Sequence, residues 1–212
     1  MFVTGIGTGV GKTVVSAILT EALGADYWKP IQSGLEGGTD TETVKTLVSN
    51  DTSRFHEELY SLNTPASPHL AARIDNVHIE LDALKKAFDE IRRPDRHLVV
   101  EGAGGLMVPL NERHFYPDLI QLLQIPVVVV SSQYLGNINH SMLTAEVLKM
   151  RRIPVLGWVF NGTYHINEED IIRWSGLEQI GRIEEEEEVD SRMVSRYAEK
   201  LRPRLLELLG RI

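Results

Sequence analysis

The sequence predicts an α/β fold in which a mostly parallel sheet carries helices on both faces. Three observations lead to this prediction: short β-branched runs alternate with helical patterns, the apolar runs are continuous, and no repeat or linker interrupts the 212 residues. Continuous apolar strands separated by helices are typical of a parallel sheet that is buried on both sides. We therefore expect a single three-layer domain over residues 1–212.

Six strands are predicted from the β-branched runs, over residues 2–4, 27–30, 98–101, 126–131, 155–161 and 179–183. Seven helices are predicted over residues 12–23, 40–48, 81–92, 116–123, 140–150, 168–174 and 189–209. Segment 60–73 is predicted to turn and then enter a helix, with Ser67 as its cap. Glycine-rich or acidic motifs follow four of the strands, and ligands of such sheets bind at the strands' carboxyl ends, so we expect one pocket there.

Composition excludes several classes of protein. The formal net charge is -8 with no basic stripe, which argues against nucleic-acid binding because a phosphate backbone would be repelled. The absence of cysteine excludes disulfides and thiolate metal sites. The longest apolar run, residues 125–130, is far shorter than a membrane span, and the first strand begins too early for a leader peptide. We expect a cytoplasmic protein.

The segment GIGTGVGKT, residues 5–13, is close to the phosphate-binding loop G-x-x-x-x-G-K-[ST]. It departs from that pattern because five residues, not four, separate Gly5 from Gly11. A strand, a glycine-rich turn and a helix beginning at Lys12 would direct backbone N–H groups at phosphate. Lys12 would reach the β- and γ-phosphates and the Thr13 hydroxyl would bind Mg²⁺. The alternative is a tight turn with a chance Gly-Lys-Thr.

Two acidic residues are candidate magnesium ligands, since Mg²⁺ prefers hard oxygen donors and usually takes one or two carboxylates. Glu101 ends the buried run HLVVE, where simple solvation of a strand end is the alternative. Asp40 stands at a predicted helix start, so helix capping is a strong alternative.

The segment KPIQSG supplies a candidate cation for the transferred group. Lys29 ends the second predicted strand and Ser33 follows it. A fixed ammonium here would lie beside the γ-phosphate and the oxygen that accepts it. An ordinary exposed loop lysine is the alternative.

The segment LGNINHSMLT, residues 135–144, places Asn139 at a predicted helix N-cap. The amides around it would be free to hold an anion such as a substrate carboxylate, although capping alone needs no ligand. His140 is interpreted as a helix-start residue and not as a catalyst. The run EEEEE, residues 184–188, is interpreted as a solvated charge run.

Taken together, these motifs resemble the dethiobiotin synthetase family. That family has a lengthened phosphate loop near G-T-D-T-x-V-G-K-T, followed by K-P-x-x-S-G, S-P-H, V-E-G-A-G-G, L-G-x-I-N-H-x-M-L-T and a late Asn. This chain has GIGTGVGKT, KPIQSG, SPH, VEGAGG, LGNINHSMLT and FNG in the same order over residues 2–162. The five-residue spacing in the loop is the family's own, and KPIQSG with LGNINH is the most specific part of the match.

The resemblance implies a three-layer P-loop NTPase-like fold and a homodimer with the active site at its interface. It implies a cyclo-ligase that makes dethiobiotin from 7,8-diaminononanoate, CO₂ and ATP with Mg²⁺. It places Thr8, Lys12, Lys29 and Ser33 around the carbamate and γ-phosphate, and Thr13, Asp40 and Glu101 on Mg²⁺. It implies nucleotide contacts at Gly9, Val10, Gly11, Lys12, Thr13, Val14, Asp40, Glu101, Gly102, Ala103, Gly104, Asn161 and Gly162. It implies substrate contacts at Ser33, Leu135, Gly136, Asn137, Ile138 and Asn139, those in 135–139 coming across the dimer interface.

Three departures from the family pattern bear on these expectations. Gly7 stands where the family usually has Asp, and Tyr134 replaces a residue that is commonly basic. The proline that the family carries near the base is missing from GRIEEEEE, residues 181–188. Two other functions stay open: a partitioning-type ATPase switch, which usually carries an extra lysine where this loop has Ile6, Gly7 and Thr8, and a cobyrinate-type amide synthetase, which usually carries a cysteine nucleophile.

Overall fold

The computed structural model describes residues 1–163 and 167–211, which contain nine strands and eight helices. The strands are β1 (Phe2–Gly5), β2 (Asp26–Trp28), β3 (Ile31–Ser33), β4 (Phe55–His56), β5 (Tyr60–Leu62), β6 (Leu98–Glu101), β7 (Val127–Ser132), β8 (Val155–Asn161) and β9 (Gln179–Ile183). The helices are α1 (Lys12–Leu23), α2 (Asp40–Leu47), α3 (Pro68–Ile74), α4 (Leu81–Ile91), α5 (Tyr116–Leu123), α6 (Asn137–Met150), α7 (Glu168–Ser175) and α8 (Ser191–Leu209).

A seven-stranded parallel sheet runs in the order β4-β2-β6-β1-β7-β8-β9. β1 lies at the centre between β6 and β7, so the glycine-rich loop that follows it opens at the middle of the sheet's carboxyl edge. The loops after β2 and β6 end beside it because these strands are its near neighbours. The topology thereby gathers the motifs at one edge.

The sheet is covered on both faces, and its strands alternate their side chains between two apolar clusters. Phe2 and Val3 point to opposite clusters, as do Tyr27 and Trp28. Helices α1, α2 and α8 cover one face, and α3 to α7 contribute to the cluster on the other. Burial on both sides is why the strands read as continuous apolar runs. The predicted three-layer α/β fold is confirmed.

Most predicted elements are present, with three differences. The strand predicted over 27–30 ends at Trp28, because Pro30 cannot donate to a ladder, and Ile31–Ser33 pairs instead with Tyr60–Leu62 in a separate two-stranded sheet. β3, β4 and β5 were not predicted, since two or three residues are too few to show a period. The helix predicted over 140–150 begins at Asn137, one turn earlier.

The longest helix of the structure, α8, is amphipathic and carries many charged residues. Within residues 1–163 and 167–211, no helix is long and apolar enough to cross a membrane.

Candidate active site

A cavity of about 640 Å³ opens at the carboxyl edge of the sheet. It is bounded by the loop after β1, the segment after β2, the start of α2 and the end of β6. Predicted site residues make up most of its lining: Thr8, Gly9, Gly11, Lys12, Thr13, Lys29, Ser33, Asp40, Glu101, Ala103 and Gly104. Residues after β1, β2 and β6 therefore meet in one pocket, as the motif positions predicted.

The loop after β1 leads into α1 through Gly11, the N-cap residue, whose φ of 92° favours glycine. A Cβ at Gly11 would lie 2.3 Å from Nδ2 of Asn161, and that nitrogen donates to the carbonyl of Val10 over 3.0 Å. No side chain caps α1. The first N–H groups of a helix have no partner within it, so those of α1 are available to an anion.

Lys12 lies at the start of α1 and is buried. Its Nζ donates to the backbone carbonyl of Gly7 over 3.0 Å. Burial lowers the pKa of Lys12 to about 8 and nearby Lys29 adds to this, while Glu101 and Asp40 oppose it. Lys12 is a buried cation that an anionic ligand would stabilise.

Lys29 joins the two candidate magnesium ligands. Its Nζ lies 2.5 Å from Oδ2 of Asp40 and 3.0 Å from Oε1 of Glu101, and it also donates to the carbonyl of Gly102 over 3.2 Å. Burial by itself would lower the pKa of Lys29, but Glu101 and Asp40 outweigh it and hold this pKa above its ordinary value. Lys29 is therefore a fixed ammonium at neutral pH.

The alternatives of solvent exposure for Lys29 and Glu101 and of helix capping for Asp40 are not what the structure shows. Lys29 and Glu101 are 2% and 1% exposed, so neither is a solvated loop or strand-end residue. Asp40 does not cap α2, because Thr39 is the N-cap and forms a reciprocal capping box with Glu42. The Asp40 carboxylate turns instead towards Thr13 and Lys29. Burial opposes ionisation of Asp40, yet Lys29 and Thr13 lower its pKa below the ordinary value.

Three oxygen donors meet beside Lys29. The Thr13 hydroxyl lies 2.9 Å from Oδ1 of Asp40 and 3.1 Å from Oε1 of Glu101. Hydroxyl and carboxylate oxygens suit Mg²⁺, which usually takes one or two protein carboxylates and completes its shell with water and phosphate oxygens. Among the residues that the structure describes, no group of three or more His, Asp or Glu side chains is placed to hold a metal ion.

Ser33 supplies a polar group without a protein partner. Its Oγ is buried in the wall of the pocket and forms no hydrogen bond within residues 1–163 and 167–211. A buried hydroxyl usually has a partner, so this atom is suited to a bound ligand. The predicted site residues Val14 and Gly102 do not line the pocket. Val14 packs against the apolar core, and the carbonyl of Gly102 accepts a hydrogen bond from Lys29.

Residues 135–139 lie outside this pocket. Gly136, with a φ of 103°, is the N-cap of α6, and Asn139 is an exposed residue within the helix, so the prediction of Asn139 as N-cap is wrong. A glycine in the left-handed region can start a helix without a side-chain cap, which the apolar pattern did not indicate. Leu135 and Ile138 flank the helix start, Leu135 being 87% exposed.

Asn137 is fully buried and anchors the start of α6. Its Nδ2 donates to Oε1 of Gln133 over 3.0 Å, and it exchanges amide hydrogen bonds of 3.2 and 2.8 Å with Asn167. Gln133 in turn reaches Glu168, which also contacts Arg182. This cluster fixes the helix N-terminus against the segment that follows β8.

A separate apolar groove of about 330 Å³ lies between segment 105–108 and α6. Val108 lines both cavities, and Leu106, Met107, Leu143 and Val147 form most of the rest of the groove. His140 stands at its rim, where its Nδ1 lies 2.5 Å from the hydroxyl of Tyr134. At position 134, where the resemblance implies a residue that is commonly basic, this chain therefore has a tyrosine hydroxyl paired with the imidazole of His140.

Of the candidate base-contact residues, Asn161 is the last residue of β8 and contacts the loop after β1 through Val10, and Gly162 directly follows the strand. Beyond β9, the glutamate run is mostly exposed, as predicted for residues 184–188. Glu186 is the exception, since it accepts hydrogen bonds from Tyr197 and Arg196 over 2.7 and 2.6 Å.

Sequence reasoning missed several residues of the site. Tyr27 donates to Oε2 of Glu101 over 2.9 Å, and the side chain of Gln32 accepts from the backbone N–H of Asp40 over 3.3 Å. The segment 65–68 forms one wall of the pocket. A tyrosine within a buried strand needs a partner for its hydroxyl, and that was the available signal for Tyr27.

Comparison with known proteins assigns the family. Residues 1–193 match the family described as AAA domain. A relative from Christiangramia forsetii, named ATP-dependent dethiobiotin synthetase BioD, is 50% identical over 98% of each chain. A relative of the same name from Cytophaga hutchinsonii is 46% identical over 94% of this chain and 95% of its own.

Solved structures agree on the fold. A ParA family ATPase from Chlorobium tepidum superposes with a TM-score of 0.58 at 12% identity, covering 100% of this chain and 98% of its own. The MinC:MinD cell division protein complex from Aquifex aeolicus gives 0.60 at 14% identity, covering 99% and 95%. These similarities show a shared P-loop ATPase fold, and they do not show a shared activity. On the full-length identities to its relatives, the chain belongs to the dethiobiotin synthetase family.

Proposed function

We propose that the protein closes the ureido ring of dethiobiotin from 7,8-diaminononanoate, CO₂ and ATP, releasing ADP and phosphate. The observation that carries this proposal is the pocket in which Lys29 lies between Asp40 and Glu101, beside the phosphate-loop lysine. Phosphoryl transfer depends on positioning and charge neutralisation more than on a nucleophilic side chain, and this pocket supplies both.

The reaction has three steps. The N7 amine of the substrate adds to CO₂ and loses a proton, giving a carbamate. A carbamate oxygen takes the γ-phosphoryl group of ATP, ADP leaves, and a carbamic-phosphoric anhydride forms. The N8 amine attacks the anhydride carbon, phosphate leaves with the bridging oxygen, and the ring closes after N8 loses a proton.

Two lysines divide the work of charge neutralisation. Lys12, at the start of α1, contacts the phosphates of ATP together with the free N–H groups of the loop from Gly9 to Val14. Lys29 lies deeper and stabilises the charge that develops on the transferring group and its acceptor oxygen. The hydroxyls of Thr8 and Ser33 orient the carbamate from the wall of the pocket.

Thr13, Asp40 and Glu101 would hold Mg²⁺, which when bound neutralises phosphate charge and fixes the phosphate geometry. Lys29 helps to hold the pKa of Asp40 below its ordinary value, and oxygens of both Asp40 and Glu101 contact its ammonium. The wall of the pocket continues from Glu101 towards the phosphates through Gly102, Ala103 and Gly104. Asn161 and Gly162 face the base.

The substrate's long aliphatic chain is suited to the neighbouring apolar groove, which shares Val108 with the pocket. Its carboxylate is taken by the backbone N–H groups of residues 135–139, which lie outside this protomer's own pocket and are supplied by a second copy. The exposed side chains of Leu135, Leu143 and Met107 support a homodimer whose interface completes the site.

The chain acts as a single synthetase domain over residues 1–212 and works in the cytoplasm. The two rival functions lack support in the site. Similarity to ParA and MinD concerns the fold alone, and the loop has Ile6, Gly7 and Thr8 where such switches usually carry lysine. A cobyrinate-type amide synthetase usually carries a cysteine, and the sequence has none.

The test is ADP release together with identification of the product by mass. We expect ADP to appear in step with dethiobiotin, and both to require diaminononanoate, bicarbonate and Mg²⁺. A Lys29→Ala variant is the matched negative control. ADP release that proceeds at the same rate without diaminononanoate would identify an ATPase switch and contradict the proposal.

A further inference from the structure

Each of the two candidate metal ligands has a hydrogen-bond partner that was not predicted as a site residue, Tyr27 on the carboxylate of Glu101 and Gln32 on the backbone N–H of Asp40. Tyr27 donates from its hydroxyl to Oε2 of Glu101 over 2.9 Å. Gln32 accepts from the backbone N–H of Asp40 over 3.3 Å through its side-chain oxygen. Both residues are buried, and they flank Lys29 in sequence, Tyr27 on β2 and Gln32 on β3.

Tyr27 fixes which oxygen of Glu101 faces the pocket. Its ring packs against Phe55 within the apolar cluster, with ring centroids 6.5 Å apart, and its hydroxyl reaches the end of β6. The other carboxylate oxygen, Oε1, contacts Thr13 and Lys29. With Oε2 occupied from behind, rotation of the carboxylate would break a buried hydrogen bond, so Oε1 stays directed at the metal position.

Gln32 fixes the start of α2. Asp40 is the first residue of the helix, and its N–H has no partner within the helix. The capping box of Thr39 and Glu42 satisfies other donors and leaves this one to Gln32. Gln32 also donates to the carbonyl of Gly34 over 3.3 Å, so its side chain bridges the glycine-containing loop that separates β3 from α2.

We propose that Tyr27 and Gln32 are positioning residues that hold Glu101 and Asp40 in the geometry that binds Mg²⁺. This rests on the proposed function, in which these two carboxylates and Thr13 share a metal with the nucleotide. Partners that orient metal-binding carboxylates typically contribute 10- to 100-fold to metal affinity, so their loss has a measurable effect. Neither residue touches the reacting atoms.

The experiment measures binding of Mn²⁺, a hard-oxygen cation visible by electron paramagnetic resonance, to the full chain loaded with ADP. Tyr27→Phe removes only the hydroxyl, and Gln32→Met removes the acceptor while keeping the side-chain length. We expect each to raise the Kd for Mn²⁺ about tenfold and to leave metal-free ADP affinity within about twofold. Gln32→Glu keeps an acceptor oxygen and is expected to stay within about threefold of the wild type.

Two controls separate positioning from a general structural effect. Tyr60→Phe removes a hydroxyl that accepts one backbone hydrogen bond, from Glu80, away from the pocket. Thr39→Ala removes the other cap of α2 and is expected to lower the melting temperature without a matching loss of Mn²⁺ affinity.

Mn²⁺ affinities of Tyr27→Phe and Gln32→Met within twofold of the wild type would overturn the proposal. Equal losses in the two control variants would overturn it as well. Because the measurement needs no diaminononanoate, a wild type that binds Mn²⁺ and ADP yet makes no dethiobiotin would contradict the proposed function and leave the positioning role standing.

Discussion

The ammonium of Lys29 lies 3.0 Å from Oε1 of Glu101, where the ends of the adjacent strands β2 and β6 meet. Asp40 approaches the same ammonium from α2. Two carboxylates thus contact one buried ammonium, and both also act on the pKa of the second buried lysine of the pocket, Lys12. Breaking a buried ion pair leaves an uncompensated charge and costs about 3–5 kcal/mol, so Lys29 serves the fold as well as the site.

Lys29→Ala and Lys12→Ala are expected to impair turnover in different ways. Loss of Lys29 removes a fixed charge from the transferring group and should lower kcat about 100- to 1,000-fold, with the KM for ATP nearly unchanged. Loss of Lys12 removes a phosphate contact and should raise the KM for ATP. Steady-state kinetics at saturating Mg²⁺ measures both, with circular dichroism to verify folding. A raised KM for ATP with intact kcat in Lys29→Ala would contradict the assignment.

ADP binding is expected to take up protons near pH 8. The pKa of Lys12 is lowered to about 8 in the free protein, chiefly by burial, and a bound phosphate would return it towards its ordinary value. Through Lys12, binding at pH 8 should therefore take up about half a proton, and this contribution should fall close to zero at pH 6.5, where Lys12 is already charged. Calorimetry in buffers of different ionisation enthalpy gives the number. Equal proton uptake on ADP binding at both pH values would show that Lys12 is not the group that takes up the proton.

The same shift has a consequence for stability. Because the folded pKa of Lys12 lies below that of the unfolded chain, the unfolded state binds more protons between about pH 8 and pH 10.5. Stability contributed through this group therefore rises with pH across that window.

Asn137→Ala is expected to destabilise the start of α6. The substitution removes the partner of the buried Oε1 of Gln133 and both hydrogen bonds to the half-buried amide of Asn167, which costs about 1–3 kcal/mol in free energy of unfolding. The KM for diaminononanoate should rise, because residues 135–139 lose their fixed position. Asn139→Ala, an exposed neighbour on the same helix, should change stability by less than about 0.5 kcal/mol. Denaturant unfolding compares the two, and equal losses would contradict the role of Asn137.

The sequence predicted the fold and most of the pocket because both depend on local patterns. Strand ends, the glycine loop and the positions of Lys29, Asp40 and Glu101 follow from apolar runs and their topology. The contact of Tyr27 with Glu101 joins two strands that are far apart in sequence, and that of Gln32 is with the backbone at the start of α2, so both depend on the folded arrangement more than on a local pattern. The start of α6 was misplaced because Gly136 caps it through its backbone conformation.

Weak discrimination among nucleoside triphosphates is expected. Ionised glutamates cannot donate hydrogen bonds to a base, Glu186 is already held by Tyr197 and Arg196, and Asn161 gives one amide hydrogen to Val10. The triphosphate and Mg²⁺ should therefore supply most of the affinity. The comparison is kcat/KM for ATP, GTP and CTP at saturating diaminononanoate and bicarbonate. A preference for ATP above roughly 100-fold, or about 2.7 kcal/mol, would show strong base recognition.

The central claim is that the pocket around Lys29 directs the γ-phosphoryl group to a carbamate oxygen. The direct measurement uses CO₂ labelled with ¹⁸O in both positions, a short reaction time, and mass analysis of the phosphate and dethiobiotin that are released. Phosphate that leaves a carbamic-phosphoric anhydride keeps the bridging oxygen, so we predict one ¹⁸O in phosphate and one in the ureido carbonyl. Phosphate without label, formed alongside labelled dethiobiotin, would mean that ATP is cleaved by water and would contradict this account.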